Sequence, residues 1–149
     1  MPHFHIPLQS GDDGVLTRMG RPYTRERFAA RLRAARHRLP EAALGTDVLV
    51  GFPGESEAAF EATFSLVQAL PLTYLHVFPF SPRPGAPAAG FRPHVPERVV
   101  KERCRRLREL GARKKEAFQT AFLGRRLEVL VEHRRDPATG LLAGLTANY

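Results

Sequence analysis

The sequence predicts an α/β domain with parallel strands. Three observations carry that reading: short apolar runs that end in turn signals, helix-period segments between them, and prolines or glycines at the junctions. The order is strand, helices, strand, helix, strand, and such alternation calls for right-handed crossovers between parallel neighbours.

His3-Phe4-His5-Ile6-Pro7-Leu8 is mostly apolar and closes on Gln9-Ser10-Gly11, which predicts a buried strand and a turn. Asp12 or Asp13 caps a short helix containing Val15, Leu16 and Met19, broken at Gly20-Arg21-Pro22. Thr24 precedes a second helix with Phe28, Leu32, Ala35 and Leu39 on one face, ending near Pro40. Leu44 to Gly51 is apolar and β-branched, as a strand covered on both faces should be. Ser56 opens a helix whose stripe is Ala59, Phe60, Thr63, Phe64 and Val67, stopped before Pro71. Leu72 to Phe80 is the third strand, and the proline- and glycine-rich stretch after it is a long loop.

From Pro96 to about Leu123 a charged helical pattern keeps Val99, Cys104, Leu107, Leu110 and Phe118 at its apolar positions. Arg126 to Glu132 then alternates like a half-exposed strand, His133 to Gly140 forms a polar turn, and a second strand begins over Leu141 to Leu145. The division expected is residues 1–123 and a β-rich module over 124–149, with no internal repeat.

A chain of 149 residues and 16.7 kDa buries one good core. At 43% hydrophobic and 26% charged residues it is outside the composition of disordered chains. No apolar run approaches the roughly 20 residues that span a bilayer, and Met1-Pro2-His3 opens no targeting segment, so a cytoplasmic location is expected. A single cysteine, Cys104, excludes an internal disulfide and cannot build a thiolate metal site. Although Arg103 and Arg105 flank it, a lone cysteine in a helical pattern reads as a packing residue. The net charge of +8 points to a polyanionic partner. Glu97 to Glu116 supplies nine Lys or Arg against four Glu, which fits a nucleic-acid surface and equally a solvated helix face.

Ligands of parallel α/β sheets gather at the carboxyl ends of the strands. Gln9 and Ser10 follow the first strand, Asp47 lies in the second, and His76 and Phe78 lie near the end of the third. A carboxylate inside an apolar strand must find a donor or cost several kcal/mol in desolvation. Asp47 therefore either accepts from ribose hydroxyls or an amino group, or bonds locally to Thr46 or a backbone amide. Gln9 both donates and accepts, which suits an amino-acid carboxylate or a ribose edge. Arg21 offers a bidentate fork for a carboxylate, or is one surface arginine among many. Gly51-Phe52-Pro53-Gly54-Glu55 brings backbone close to whatever lies above the sheet. Of the six histidines only His3-x-His5 has close spacing, both on one strand face. A zinc site needs further ligands, so no residue is assigned to a metal.

Together HIPLQSGDDGVLTRMGRPYTRE, TDVLVGFPGESEAAFEAT and LHVFPFSPRPGAPAA resemble the fourth, fifth and sixth strand segments of the radical S-adenosylmethionine (SAM) methylthiotransferase family. HVFPFSPRPGAPAA and GLTANY look closest to the branch acting on N6-threonylcarbamoyladenosine at position 37 of tRNA. The resemblance implies the C-terminal half of a partial (β/α)6 barrel, then a long helix and the start of a TRAM module, a small OB-like RNA-binding barrel. It places Gln9 and Arg21 near the methionyl part of SAM, Asp47 at the ribose or methionyl group, and Phe78 against the adenine, with Ser10 also among the cofactor-binding residues. It makes Arg83, Arg125 and Arg126 contacts to RNA or substrate.

Family chemistry also uses two [4Fe-4S] clusters, each held by three cysteines, and those ligands are absent from this chain. The resemblance thus implies a fragment inactive alone, without a catalytic residue of its own, that works with tRNA, SAM and a missing cluster-bearing N-terminal half. The alternative is a stand-alone basic RNA-binding or scaffold protein.

Overall fold

The computed structural model describes residues 3–148. A parallel three-stranded sheet, ordered β1-β2-β3, is built from His3–His5, Ala43–Val50 and Tyr74–Pro79. Helices α1 (Asp13–Arg18) and α2 (Arg25–Arg38) connect β1 to β2, and α3 (Glu57–Ala69) connects β2 to β3. A 3-10 turn at Pro87–Gly90 leads to α4 (Glu97–Thr120), followed by an antiparallel hairpin of β4 (Val129–Arg135) and β5 (Leu142–Thr146). The parallel α/β class is as the alternation predicts.

Local chemistry sets the helix starts. Asp12 accepts from Val15 N at 2.8 Å, Thr24 from Arg27 N at 3.2 Å and Ser56 from Ala59 N at 3.1 Å, each satisfying an amide that the first turn leaves open. The first strand is shorter than its apolar run. Pro7 cannot donate to a ladder, and pairing resumes only at Gln9, whose amide bonds Asp47 O while its carbonyl accepts from Leu49 N.

The main core lies on one face of the sheet. Leu44, Val48, Val50 and Val77 meet Phe28 and Leu32 of α2, Phe60 and Val67 of α3, and Leu107 and Leu110 of α4 in one core. Arg103, with a side chain 5% exposed, locks α4 to the start of α3 through Glu55 at 2.8 Å and Glu57 at 2.7 Å, its guanidinium over the Phe60 ring. Among the described residues the opposite face has no helix over Gly45 and Asp47, whereas at its strand end Leu49 packs against Val15 of α1, Phe52 and Ala59, so β2 is covered on both faces only in part. Because side chains alternate along a strand, that open face carries His3 and His5, Gly45, Asp47 and Leu49, and Tyr74, His76 and Phe78.

The hairpin departs from expectation in burial. The alternation of 126–132 predicts a half-exposed strand, yet all of β4 is exposed, with Val129 at 51%, Leu130 at 73% and Val131 at 59%. No second layer packs on it among the described residues. It touches the rest through Glu41, which pairs with Arg125 and whose carbonyl accepts from Asn148 Nδ2 at 3.3 Å.

Candidate functional site

The open face of the sheet gathers titratable groups into a single chain of contacts. The Tyr74 hydroxyl lies 2.7 Å from His3 Nε2 and 3.0 Å from His5 Nδ1. His5 Nε2 lies 2.8 Å from Asp47 Oδ1, and His76 Nδ1 is 3.4 Å from the same oxygen. With Nε2 donating to Asp47, a neutral His5 accepts the Tyr74 proton on Nδ1. The rings close over one another: His5 and His76 centroids are 5.0 Å apart, and His76 meets Phe78 edge-on at 6.3 Å.

Register explains why these residues meet. Gly45 pairs with both His5 and Tyr74, and Asp47 pairs directly with His76. A Cβ on Gly45 would fall 1.9 Å from the Tyr74 ring, so the missing side chain gives Tyr74 the space to lie across β2 and reach both imidazoles. Leu49 pairs with Phe78, which puts Phe78 one side-chain step, roughly 7 Å, further toward the strand ends on the same face.

Asp47 faces this site rather than Thr46. Thr46 Oγ1 donates to Ile6 O at 2.7 Å and accepts from Leu8 N at 3.0 Å, whereas the Asp47 carboxylate, 24% exposed, is hydrogen-bonded to His5 Nε2 at 2.8 Å with His76 Nδ1 3.4 Å away. Gln9 stands beside Asp47 at the strand end with φ of 68°, a left-handed conformation that costs a non-glycine residue of order 1 kcal/mol and marks a constrained position.

Ser10 is not brought to the site. It is fully buried, its hydroxyl 3.3 Å from Thr63 Oγ1 and accepting from Asp12 N at 3.2 Å, so it fixes the turn ahead of α1. The glycine loop packs closely on its neighbours: a Cβ on Gly51 would meet Val100 of α4 at 2.5 Å, and one on Gly54 would meet Arg18 at 3.4 Å. Arg21 is exposed beside Tyr23. Arg83 and Arg126 are exposed on loops, while Arg125 is held by Glu41 and stacks over Phe122 at 4.9 Å.

The basic helix pairs much of its charge with neighbouring acids. Arg106 pairs with Glu61 at 2.6 Å, Arg105 with Glu102 at 2.6 Å and Lys101 with Glu97 at 2.6 Å. Lys114 donates to Gln68 O and Leu70 O, the C-terminal carbonyls of α3. Cys104 is buried in the core, and burial pushes its thiol above the ordinary range. A lone protonated thiol does not fit an iron–sulfur ligand set. No helix among the described residues is long and apolar enough to cross a membrane.

Sequence reading found Asp47 and Phe78 but missed Tyr74 and the joining of His5 to His76. The signal was present in the period-2 spacing of 74, 76 and 78, but only the register shows which residues of β1 and β2 they face.

Comparison with known proteins adds to this geometry. The family model described as the Radical SAM superfamily matches residues 1–67. Over 130 residues the chain is 42% identical to the threonylcarbamoyladenosine tRNA methylthiotransferase of Aquifex aeolicus, covering 87% of this chain and 32% of that protein. It is 44% identical over 147 residues to the tRNA-2-methylthio-N(6)-dimethylallyladenosine synthase of Thermobifida fusca, covering 97% of this chain and 30% of that one. The corresponding synthase of Parafrankia sp. is 46% identical over 146 residues. The chain spans about a third of the length of these relatives.

Proposed function

Because this chain is a relative of radical SAM tRNA methylthiotransferases over nearly all of its length, we propose that it forms the C-terminal part of such an enzyme's barrel. In this reading residues 1–123 supply part of the SAM pocket and residues 124–149 begin an RNA-binding TRAM module. The whole acts in the cytoplasm, adding a methylthio group to N6-threonylcarbamoyladenosine at position 37 of tRNA.

The observation that carries the proposal is Asp47. It is a carboxylate inside an otherwise apolar strand, on the sheet face opposite the main core, hydrogen-bonded to His5 and 3.4 Å from His76. That arrangement fits SAM: Asp47 accepts from the ribose hydroxyls, Gln9 and Arg21 bind the methionyl end, and Phe78, half exposed, offers a flat apolar wall for the adenine. SAM, when bound, supplies the methyl group and the deoxyadenosyl fragment of the reaction. This chain's own residues bind and orient it. The cluster ligands do not fit here, since Cys104 alone is present and buried, so the clusters and the electron must come from a cysteine-bearing segment acting with this one. Arg83, Arg125 and Arg126 face tRNA, with Arg125 leaving Glu41 when RNA binds.

The test is reconstitution. Combined with a cluster-bearing segment, the chain should cleave SAM to 5′-deoxyadenosine, and Asp47→Ala should lower the rate at least about 100-fold, the scale of a lost positioning contact. Unchanged cleavage in that variant sinks the pocket assignment. Mass spectrometry of the tRNA then decides the branch: a methylthio group on isopentenyladenosine, not threonylcarbamoyladenosine, overturns the substrate assignment.

A further inference from the structure

We propose that His5, Asp47 and His76 form a binding site for a divalent transition-metal ion of the zinc class on the open face of the sheet. The three ligand atoms, one nitrogen from each imidazole and one carboxylate oxygen, all lie within 4.8 Å of one another. Two imidazoles and a carboxylate are a donor set suited to a borderline cation, and such sets leave further positions for water or substrate.

The spacing is close to that of a bound ion. Ligands of a tetrahedral zinc ion at about 2.0–2.1 Å stand roughly 3.3 Å apart. Here the Asp47 oxygen is 2.8 Å from His5 Nε2 and 3.4 Å from His76 Nδ1, so small rotations of partly exposed side chains bring the three into place. The backbone is already committed. Asp47 and His76 are register partners on neighbouring strands, and His5 pairs one step back on the other side.

The surroundings are those of a ligating histidine. Such a residue almost always hands its other ring N–H to an outer partner that fixes tautomer and orientation. His5 has that partner in the Tyr74 hydroxyl, 3.0 Å from Nδ1, which Gly45 makes room for. On binding, His5 Nε2 gives up to the ion the place its proton holds against Asp47, and Nδ1–H donates to Tyr74.

The site shares Asp47 with the proposed SAM pocket, so ion and ribose are alternative occupants of that carboxylate, and the ion is tested in the absence of SAM. The purified metal-free chain is titrated calorimetrically with Zn²⁺ alone, and spectroscopically with Co²⁺ alone as the coloured stand-in. One ion per chain is expected, with visible cobalt bands of a low-coordinate N/O site. His76→Ala, on a side chain 54% exposed, and Asp47→Asn should each weaken zinc at least about 100-fold, and Tyr74→Phe about 10-fold as a lost outer partner. His94→Ala and His133→Ala should leave it unchanged. Circular dichroism of each variant confirms the fold. No stoichiometric uptake, uptake that survives both His76→Ala and Asp47→Asn, or uptake that moves with His94 or His133 overturns the site.

Discussion

The parallel sheet and the C-terminal hairpin are both β-structure, yet they are held together in different ways. In the sheet, β2 is buried almost throughout and its register is pinned by a core drawn from three helices. In the hairpin, β4 is exposed along its length and, among the described residues, keeps its ladder with β5, while the flanking Arg125 and Asn148 tie the hairpin to Glu41. An isolated hairpin is marginal in water. The apolar surface of Val129, Leu130 and Leu141 stays on the outside, so among the described residues pairing and the Glu41 anchor hold the hairpin without a second layer. The difference teaches that a strand pattern in sequence specifies pairing, whereas burial depends on what is available to pack against it.

The largest effect that would separate the two regions is Phe60→Ala. Removing a fully buried ring beneath Arg103 and Arg106 should cost about 4 kcal/mol in urea unfolding, with the sheet and α3 lost together. Arg103→Ala should cost about 3 kcal/mol, because Glu55 would be left buried without its partner; a change below 1 kcal/mol would mean that α4 is held by apolar contact alone. Gly45→Ala should cost about 2 kcal/mol from overpacking and expel Tyr74 from the imidazoles, seen by NMR of the histidine rings. Thr24→Ala should remove about 1 kcal/mol with the cap of α2. Leu130→Ala, at 73% exposure, should stay within about 0.5 kcal/mol; a cost matching that of Phe60→Ala would show that the hairpin is buried in solution. Amide exchange should follow the same order, slow in β2 and fast in β4.

What could be read from the sequence followed the same division. Element order, the caps at Asp12, Thr24 and Ser56, and the parallel sheet were legible because each rests on local chemistry or on a period. The candidate site was legible at Asp47, where an acid interrupts an apolar run, and at Phe78. It was not legible at Tyr74, nor in the meeting of His5 with His76, because strand register depends on residues distant in the chain. At Ser10 and the Gly51–Gly54 loop composition alone does not decide, because a polar turn and a pair of glycines look the same whether they serve a ligand or the packing of Thr63 and Val100.

The position of Tyr74 also gives the molecule an optical property. The chain has no tryptophan and three tyrosines, so its ultraviolet emission is tyrosine emission. Tyr74 contributes from the open face, with its hydroxyl against His3 and His5. A phenol that shares its proton with imidazoles is quenched by excited-state proton transfer. Anything that occupies the face or reorders those rings therefore changes the brightness of the chain itself, which gives an unlabelled reporter placed where binding would occur.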